Sequence, residues 1–400
     1  MREMDTTECL FYLPFPREDC DALLADGIED SFVVQSGDSV DWQELDSWLN
    51  LRSDWVFGWM GYDVRRSIER FSGEQLETSS FPQIVLFRPK NLFKIRNASA
   101  EVLKGTWRSE LENIISRDTI VPSERIELSP VISYNTYVDH VKNLQAEIAA
   151  GNVYELNYCI PFRAKASLKD PINTWKRIYS QTEAPFSAYA QFGSYHILCA
   201  SPERYLKRMG NHVLSQPIKG TIRRGSTMDE DDRLKRELSE SRKERAENVM
   251  IVDLVRNDLS RCAERETVRV DELFGVHTFK TVHHLVSTIC CEVSGDTRWI
   301  DLMRATFPMG SMTGAPKLSA MKLISGHEIT ERGIYSGTIG YIEPNGDFDF
   351  NVVIRSVQYD KEAQHISCHV GGAITALCNP EAEYSECMLK LEAVLKALRG

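Results

Sequence analysis

The amino-acid sequence predicts an α+β fold that contains large antiparallel sheets. Predicted strands and helices are mixed along the chain without the regular strand–helix–strand order of parallel sheets. The segment 337–372, GTIGYIEPNGDFDFNVVIRSVQYDKEAQHISCHVGG, has apolar and polar residues in turn around a Pro-Asn-Gly-Asp corner, which predicts a meander of consecutive antiparallel strands. Of the 400 residues, 42% are hydrophobic, which is enough for a substantial buried core.

The N-terminal part, residues 1–125, is predicted to be irregular and to pack on a core formed by residues 126–400. Its best strand candidates are aromatic, DWVFGWMGYDV at 54–64 and FPQIVLFRP at 81–89. The polar segment 116–130, SRDTIVPSERIELSP, contains two prolines and is predicted to connect the two parts.

Three later segments carry helix signals. The segment 133–151 begins with Ser133 as a cap, has apolar residues at helical spacing and ends at a glycine. Residues 229–261 are predicted to be mostly helical, with a charged first half and an apolar second half. The last helix begins after Asn379, a good capping residue, and Pro380 suits its first position.

Composition argues against several classes of protein. The net charge of −11 disfavours non-specific binding to nucleic acid or to an anionic membrane. No apolar run approaches the roughly 20 residues that a membrane span needs. The first residues, MREMDTTECLFYLPF, show no secretory signal, and the ten cysteines include no Cys-x-x-Cys pair. We therefore expect a reduced, cytoplasmic enzyme that binds neither nucleic acid nor membrane.

Two predicted helices carry pairs of acids three residues apart, Glu244 with Glu247 and Glu383 with Glu386. Residues at this spacing share a helix face, so each pair presents its carboxylates in one direction. Two such pairs brought together would repel unless a cation lay between them, and hard oxygen ligands suit Mg²⁺. From spacing alone, a solvated acidic helix face is the better explanation of the pairs, and Glu383 and Glu386 could simply complement a helix dipole.

Eight segments, in order, resemble the chorismate-utilising enzymes, a family that includes anthranilate, aminodeoxychorismate, isochorismate and salicylate synthases. They are ASPERYL, QPIKGTIRRG, KERAENVMIVDLVRNDLSR, VHHLVSTI, RATFPMGSMTGAPKLSAM, RGIYSGTIGYI, NVVIRSV and GGAITALCNPEAEYSE. The resemblance covers roughly residues 130–398. It implies two facing antiparallel sheets surrounded by helices, with chorismate and Mg²⁺ bound between the layers. It also places the four acids above at the family's metal positions.

The resemblance implies further site residues. Chorismate is a dicarboxylate, so Arg355 could fork onto a carboxylate, and glycines could expose backbone N–H groups. Without the family context, an arginine in a surface ion pair or a glycine pair in a bulge would be equally reasonable. His284 matches an active-site histidine of the family. The residues implied to bind substrate are Asn157, Ser311, Tyr335, Arg355, Gly371 and Gly372.

One position separates the branches of the family. In QPIKGTIRRG, Lys219 stands where anthranilate, isochorismate and salicylate synthases usually have alanine. The resemblance implies that this amine adds to ring carbon two as the 4-hydroxyl leaves, and that ammonia then adds at carbon four and displaces the lysine. Glu203, in SPERY, matches the general acid that protonates the leaving hydroxyl. A structural lysine that pairs with a carboxylate is the alternative.

The predicted activity is therefore amination of chorismate to 4-amino-4-deoxychorismate, a precursor of 4-aminobenzoate. Glu155 stands where water-using relatives have lysine and amine-using relatives usually have glutamine. No glutaminase signature is present, so we expect ammonia from a separate glutamine amidotransferase subunit. The rival predictions are anthranilate synthase component I and a non-catalytic regulatory subunit that binds chorismate or tryptophan.

Overall fold

The computed structural model describes residues 8–69, 76–116 and 125–399. Two predictions fall partly outside these ranges. Residues 1–7, 70–75 and 117–124 of the predicted N-terminal part lie outside them, and the last of these stretches belongs to the predicted connection. None of the helices within the described ranges combines the length and the apolar character needed to cross a lipid bilayer.

The described residues form 19 strands. In chain order they are β1 (Cys9–Leu13), β2 (Ala22–Val34), β3 (Val56–Met60), β4 (Ile84–Arg96), β5 (Ser99–Lys104), β6 (Ser129–Pro130), β7 (Glu155–Lys165), β8 (Phe186–Phe192), β9 (Tyr195–Ser201), β10 (Arg204–Met209), β11 (His212–Gln216), β12 (Ile218–Arg223), β13 (Arg269–Thr278), β14 (Val282–Glu292), β15 (Gly314–Ala315), β16 (Thr338–Ile342), β17 (Phe348–Asn351), β18 (Ser356–Asp360) and β19 (His365–Ile374).

Helices connect and cover these strands. They are α1 (Trp42–Asn50), α2 (Arg65–Ile68), α3 (Glu112–Ile115), α4 (Tyr134–Ala149), α5 (Pro171–Thr182), α6 (Met228–Glu240), α7 (Arg242–Ser260), α8 (Trp299–Thr306), α9 (Lys317–His327) and α10 (Pro380–Arg399). Short 3₁₀ turns cover Tyr62–Val64, Ser109–Leu111 and Gly310–Met312.

The predicted helix caps are confirmed. Ser133 accepts a hydrogen bond from the backbone N–H of Thr136 at 3.1 Å at the start of α4. Asn379 accepts from the backbone N–H of Ala382 at 2.8 Å at the start of α10. The long predicted helical segment is instead two helices, because Ser241 leaves the helical conformation between α6 and α7 and caps α7.

All pairings between named strands are antiparallel, and they join the strands into one continuous sheet that folds over on itself. The paired strands β2 and β4 form the hinge that joins the two layers of this sheet. The first layer continues from β4 through β3, β16, β17, β10, β11, β14 and β13, with β12 beside β14. The second layer continues from β2 through β1, β8, β9, β18, β19 and β7.

The two layers face each other across an apolar core. Trp59 of the first layer meets Phe192 of the second edge to face, with ring centroids 6.1 Å apart, and stacks on Phe11 at 5.8 Å. Ile339 and Ile197 are fully buried in the same cluster. Edge-to-face and stacked aromatic pairs add roughly 0.5–1.5 kcal/mol each to the burial of their area. The predicted facing sheets are therefore confirmed, and they share one hinge.

Helices cover the outer face of each layer. On the first layer, Val252 of α7 and Leu302 of α8 pack with Phe350 of β17. On the second layer, Val141 of α4 and Leu391 of α10 lie in one buried cluster with β7 and β19. Because α7 and α10 cover different layers, the acids on these two helices approach each other only through the folding of the sheet.

Two details differ from the expectations. The N-terminal part is more regular than predicted, since β2 and β4 are 13-residue strands. The period-two alternation of apolar and polar residues is interrupted in β2, because the ladder of β2 with β4 shifts register between Ile28 and Asp30. The segment 337–372 is also not one meander. Strands β16 and β17 pair in the first layer and β18 and β19 in the second, so residues 352–355 cross between the layers. The predicted boundary at residue 125 stays a prediction.

Candidate active site

Lys219 lies in a β-bulge. In the ladder of β12 with β14, Ile218 pairs with Val286 and Thr221 with His284, and the register shifts between these pairs. The shift leaves Lys219 and Gly220 without regular partners, and Gly220 has φ +88°. A bulge turns a side chain away from its regular direction in the strand. The Pro-Ile-Lys-Gly corner therefore places Lys219 at an irregular point of β12, where its side chain need not follow the regular alternation of the strand.

The Lys219 ammonium faces a group of acids. It stabilises the ionised forms of Glu203, Glu155, Glu244 and Glu386, and in each case acts to lower the pKa of the carboxyl group. Two of these acids belong to the predicted metal set and one is the predicted general acid. The Lys219 side chain is half-buried and lies near both the predicted general acid and the predicted metal ligands.

Glu203 lies in the turn between β9 and β10 and is only 5% exposed. Its backbone carbonyl accepts a hydrogen bond from Val352 N–H at 3.0 Å, which ties it to the crossover. Burial raises the pKa of Glu203 to about 7, although a hydrogen bond with Ser311 and the positive charges of Lys219 and Arg355 act to lower it. A carboxyl group with such a pKa can donate or accept a proton near neutral pH.

Arg355 occupies the end of the crossover, where its backbone has φ 51°. Few non-glycine residues adopt this left-handed conformation, and those that do are found preferentially at functional sites. Within the described residues its guanidinium has no hydrogen bond or ion pair. Burial lowers the pKa of Arg355, and the neighbouring Glu203 and Tyr335 partly offset this effect. A guanidinium of this kind is available to an incoming carboxylate.

Two buried polar side chains of the site, those of His284 and Asn157, each keep one polar atom without a hydrogen-bond partner. His284 shares a 2.8 Å hydrogen bond between Nδ1 and Thr221 Oγ1, but its Nε2 is unpaired. Burial and the positive charge of Arg355 lower the pKa of His284 to about 3, so the ring is neutral at physiological pH. Asn157 donates from Nδ2 to the Ser311 carbonyl at 3.4 Å and keeps an unpaired Oδ1. Orphaned buried atoms of this kind are typical of a ligand site.

Tyr335 and the glycine pair lie on the second layer's side of the site. The Tyr335 ring stacks on His369 with centroids 5.4 Å apart, and burial raises its pKa well above the usual value. Gly371 pairs with Cys159 in the ladder of β19 with β7, and a Cβ there would meet Cys159 Sγ at 2.6 Å. A Cβ on Gly372 would lie 3.2 Å from Glu383 Oε2. Close packing therefore explains both glycines, and their role in substrate binding stays a prediction.

The four predicted metal-site acids form one electrostatic cluster. Burial raises the pKa of Glu244, and the neighbouring Glu247 and Glu386 raise it further. Burial likewise raises the pKa of Glu383, as do Glu386 and Glu247. Glu244 on α7 and Glu383 on α10 are thus each influenced by an acid on the opposite helix. This mutual repulsion is the situation that a bound cation relieves.

The cluster also contains lysines that the sequence analysis missed. Lys390 donates from Nζ to Glu386 Oε1 at 2.9 Å and to the Gly371 carbonyl at 3.0 Å. Burial acts to raise the pKa of Glu386, but Lys390, Lys243 and Lys219 together outweigh it, so the net shift is downward. Lys243 lies 3.9 Å from Glu247. The spacing of four residues between Glu386 and Lys390 is a signal that could have identified this pair.

The donor set fits magnesium. All four candidate ligands are carboxylates, which are the hard oxygen donors that Mg²⁺ prefers. Among the described residues, no three of these carboxylates bring oxygens within 4.8 Å of one another. Mg²⁺ keeps several water ligands and commonly binds through only one or two carboxylates, so this looser spacing suits it better than a cation enclosed entirely by protein.

A buried ion pair lies beside the site. The cavity lined by Glu203 and Ser311 is also lined by Asp258. Asp258 Oδ2 is 2.7 Å from Lys317 Nζ, and Asp258 Oδ1 has no hydrogen-bond partner. Both residues belong to segments that carried the family resemblance, VRNDLSR and GAPK. The sequence alone did not indicate that they pair.

Known proteins match this chain. The sequence profile of the chorismate binding enzyme family matches residues 13–396. Aminodeoxychorismate synthase component 1 from Bacillus subtilis (strain 168) is 33% identical over 364 residues, which cover 86% of this chain and 74% of that protein. The chloroplastic aminodeoxychorismate synthase of Arabidopsis thaliana is 39% identical over 312 residues, which cover 77% of this chain and 33% of that protein. The chain thus spans about a third of the plant protein's length.

Solved structures share the fold. Anthranilate synthase component I from Streptococcus pneumoniae TIGR4 superposes with a TM-score of 0.72 at 22% identity, covering 96% of this chain and 90% of that one. The menaquinone-specific isochorismate synthase from Escherichia coli gives 0.75 at 18% identity, covering 99% and 89%. These likenesses confirm the predicted fold class. Since the family profile covers nearly the whole described chain and the bacterial relative aligns over most of both lengths, this chain belongs to the chorismate binding enzyme family.

Proposed function

We propose that this chain aminates chorismate to 4-amino-4-deoxychorismate, as the component 1 subunit of an aminodeoxychorismate synthase. The observation that carries the proposal is the bulge that aims Lys219 at Glu203, Glu155, Glu244 and Glu386. Relatives named aminodeoxychorismate synthase, at 33% and 39% identity, support it.

The proposed chemistry has two displacements. Lys219 first gives a proton to one of the surrounding carboxylates. The neutral amine then adds to ring carbon two while the 4-hydroxyl leaves, and Glu203 protonates that hydroxyl as water departs. Ammonia then adds at carbon four and the lysine leaves. A pKa of about 7 keeps part of the Glu203 population protonated at neutral pH, as a general acid requires. Splitting the replacement into two steps avoids a direct exchange at a single carbon.

The other groups bind and orient the substrate. Arg355 receives one carboxylate of chorismate, and the unpaired His284 Nε2 and Asn157 Oδ1 accept hydrogen bonds from its polar groups. A magnesium ion bound among the four glutamates, by one or two of them directly and by the others through its water ligands, would supply positive charge for a substrate carboxylate. Tyr335 and Ser311 border the same space, through their couplings to Arg355 and Glu203.

Ammonia is proposed to come from a separate glutamine amidotransferase chain. The support is the component 1 name of the bacterial relative. A reducing, cytoplasmic location is part of the proposal, since the ten cysteines are all free thiols.

Product identification tests the proposal. The chain is incubated with chorismate, Mg²⁺ and ammonium, with and without an added aminodeoxychorismate lyase, and the products are separated. We expect an aromatic amine only when lyase is present. Anthranilate formed together with pyruvate, without lyase, would instead assign the chain to the anthranilate branch. No turnover under any condition would favour a regulatory subunit.

A further inference from the structure

A second group of metal-ligating side chains lies on the outer part of the first layer. His212 opens β11 and pairs with Glu292 near the end of β14. Cys290, two residues earlier in β14, points to the same face, because side chains alternate along a strand. Asp271 lies in β13 where the ladder with β14 shifts register between Val270 and Glu272, so the bulge brings its carboxylate to the same place.

These side chains converge closely. One ligand atom from each of His212, Asp271 and Cys290 lies within 4.8 Å of the other two. The Asp271 carboxylate and the Cys290 thiol share a hydrogen bond, which acts to lower the pKa of Asp271. Glu292 Oε1 lies 3.1 Å from His212 Nδ1. A carboxylate bonded to the imidazole of a ligating histidine is the usual arrangement for holding that ring in place.

We propose that His212, Asp271 and Cys290 form a binding site for Zn²⁺, with Glu292 orienting the histidine. A thiolate, an imidazole and a carboxylate are the donors that zinc prefers, whereas magnesium avoids sulfur. Zinc bonds of about 2.0–2.3 Å require donors roughly 3.5 Å apart, so binding needs only a small closure of the present group. Solvent reaches the half-exposed Asp271 and supplies the remaining ligand.

The charge balance supports the site. Arg269 donates from Nε to Asp271 Oδ1 at 2.9 Å and lies 3.8 Å from Glu292 Oε1. It therefore offsets one of the two negative charges and leaves the metal-free cluster with a net charge of −1, which favours a cation. When zinc binds, Cys290 releases its proton, and zinc with Arg269 carries three positive charges against one thiolate and two carboxylates. The occupied site is then neutral without any other ion.

The zinc site is distinct from the candidate active site. Cys290 and His284 are six residues apart on the same strand, which separates them by about 20 Å. Zinc would fasten β11 and β13 to β14, and β14 carries His284 and pairs with the strand that bears Lys219. The inference concerns a structural metal and does not depend on the proposed function.

Cobalt provides the test, since its bond to a thiolate gives an absorption band that its bonds to carboxylates do not. The full chain is treated with EDTA and titrated with Co²⁺. We expect one equivalent with a thiolate band, which Zn²⁺ abolishes. Cys290→Ser should lose the band, and Cys368→Ser, a matched change at another buried cysteine, should keep it. The active-site glutamates contribute no thiolate signal. A wild-type chain without the band, or a Cys290→Ser variant with it, would overturn the proposal.

A second variant guards against misfolding of Cys290→Ser. His212→Gln changes a partly exposed residue, so the metal-free variant should unfold at nearly the wild-type temperature. We expect its zinc affinity, measured by competition with a coloured chelator, to fall at least tenfold. An unchanged affinity would remove His212 from the ligand set and with it the proposed site.

Discussion

Gly220 lies directly against Glu244, so that a Cβ atom on the glycine would stand 3.0 Å from Glu244 Oε2 and 3.2 Å from its Cβ. The same glycine has φ +88° and follows Lys219 in the bulge of β12. The bulge of β12 that contains Lys219 is therefore in contact with Glu244 of helix α7. A substitution at Gly220 should therefore displace the Glu244 side chain.

Gly220→Ala should be destabilising and should also raise the magnesium requirement. The left-handed backbone costs a residue with a Cβ about 1–2 kcal/mol, and the new methyl group pushes on Glu244. Gly210→Ala is the matched control, because Gly210 has φ +61° but no atom within 4 Å of the position that a Cβ would take. Chemical denaturation and magnesium titration of activity measure the two effects. Equal behaviour of both variants would contradict the contact with Glu244.

Lys219→Ala should lose most ammonia-dependent formation of aminodeoxychorismate and still bind chorismate, because Arg355 and the acids remain. Lys219→Arg is the informative control. It preserves a positive charge facing the acids but cannot act as an amine nucleophile at neutral pH. We expect both variants to be inactive in product assays coupled to a lyase. Full activity of the arginine variant would show that only the charge matters.

The pH dependence should report Glu203. Its pKa is raised from about 4.5 to about 7, so between these values the folded chain binds more protons than the unfolded chain, and Glu203 lowers stability as the pH rises. Glu203→Gln should therefore gain stability relative to wild type from pH 5 to pH 8, measured by denaturant unfolding. Its rate should fall by about 10²–10⁴.

Two further results check the Glu203 prediction. For the wild type, kcat/KM should decline above about pH 7 as the general acid ionises. Glu237→Gln, at an exposed position of α6, should show no pH-dependent gain in stability. A gain of equal size in the control would trace the effect to net charge instead of the buried carboxyl group.

Glu386→Gln should raise the magnesium concentration needed for half-maximal activity. Lys390 lowers the pKa of Glu386 against the effect of burial, so the side chain is ionised and its charge is available to a cation. Glu381→Gln, at an exposed position in the first turn of the same helix, is the control. If both variants give the wild-type titration, Glu386 is not a ligand.

Much of the site was predictable because its residues lie in short, distinctive segments. Glu203, Lys219, Arg355 and the acid pairs were all named from sequence, and the structure places them around one space, although their roles stay predictions. The ion-pair partners of residues beside the site were not predictable. Nothing local to VRNDLSR indicates that Asp258 pairs with Lys317, 59 positions away. The predicted single meander was wrong because period-two spacing does not reveal which neighbouring strand a segment will choose.

The helices with their caps, the strand-rich character of the chain and the family resemblance could all be predicted, because each depends on residues that are neighbours in the chain. Three features required the folded chain: residues 352–355 cross between the layers, a bulge turns Lys219 toward the acids, and α7 and α10 bring their glutamates together. These features depend on pairings between distant parts of the chain, whose free energy comes from burial and long-range hydrogen bonds. The spacing of residues along the chain does not indicate these distant pairings.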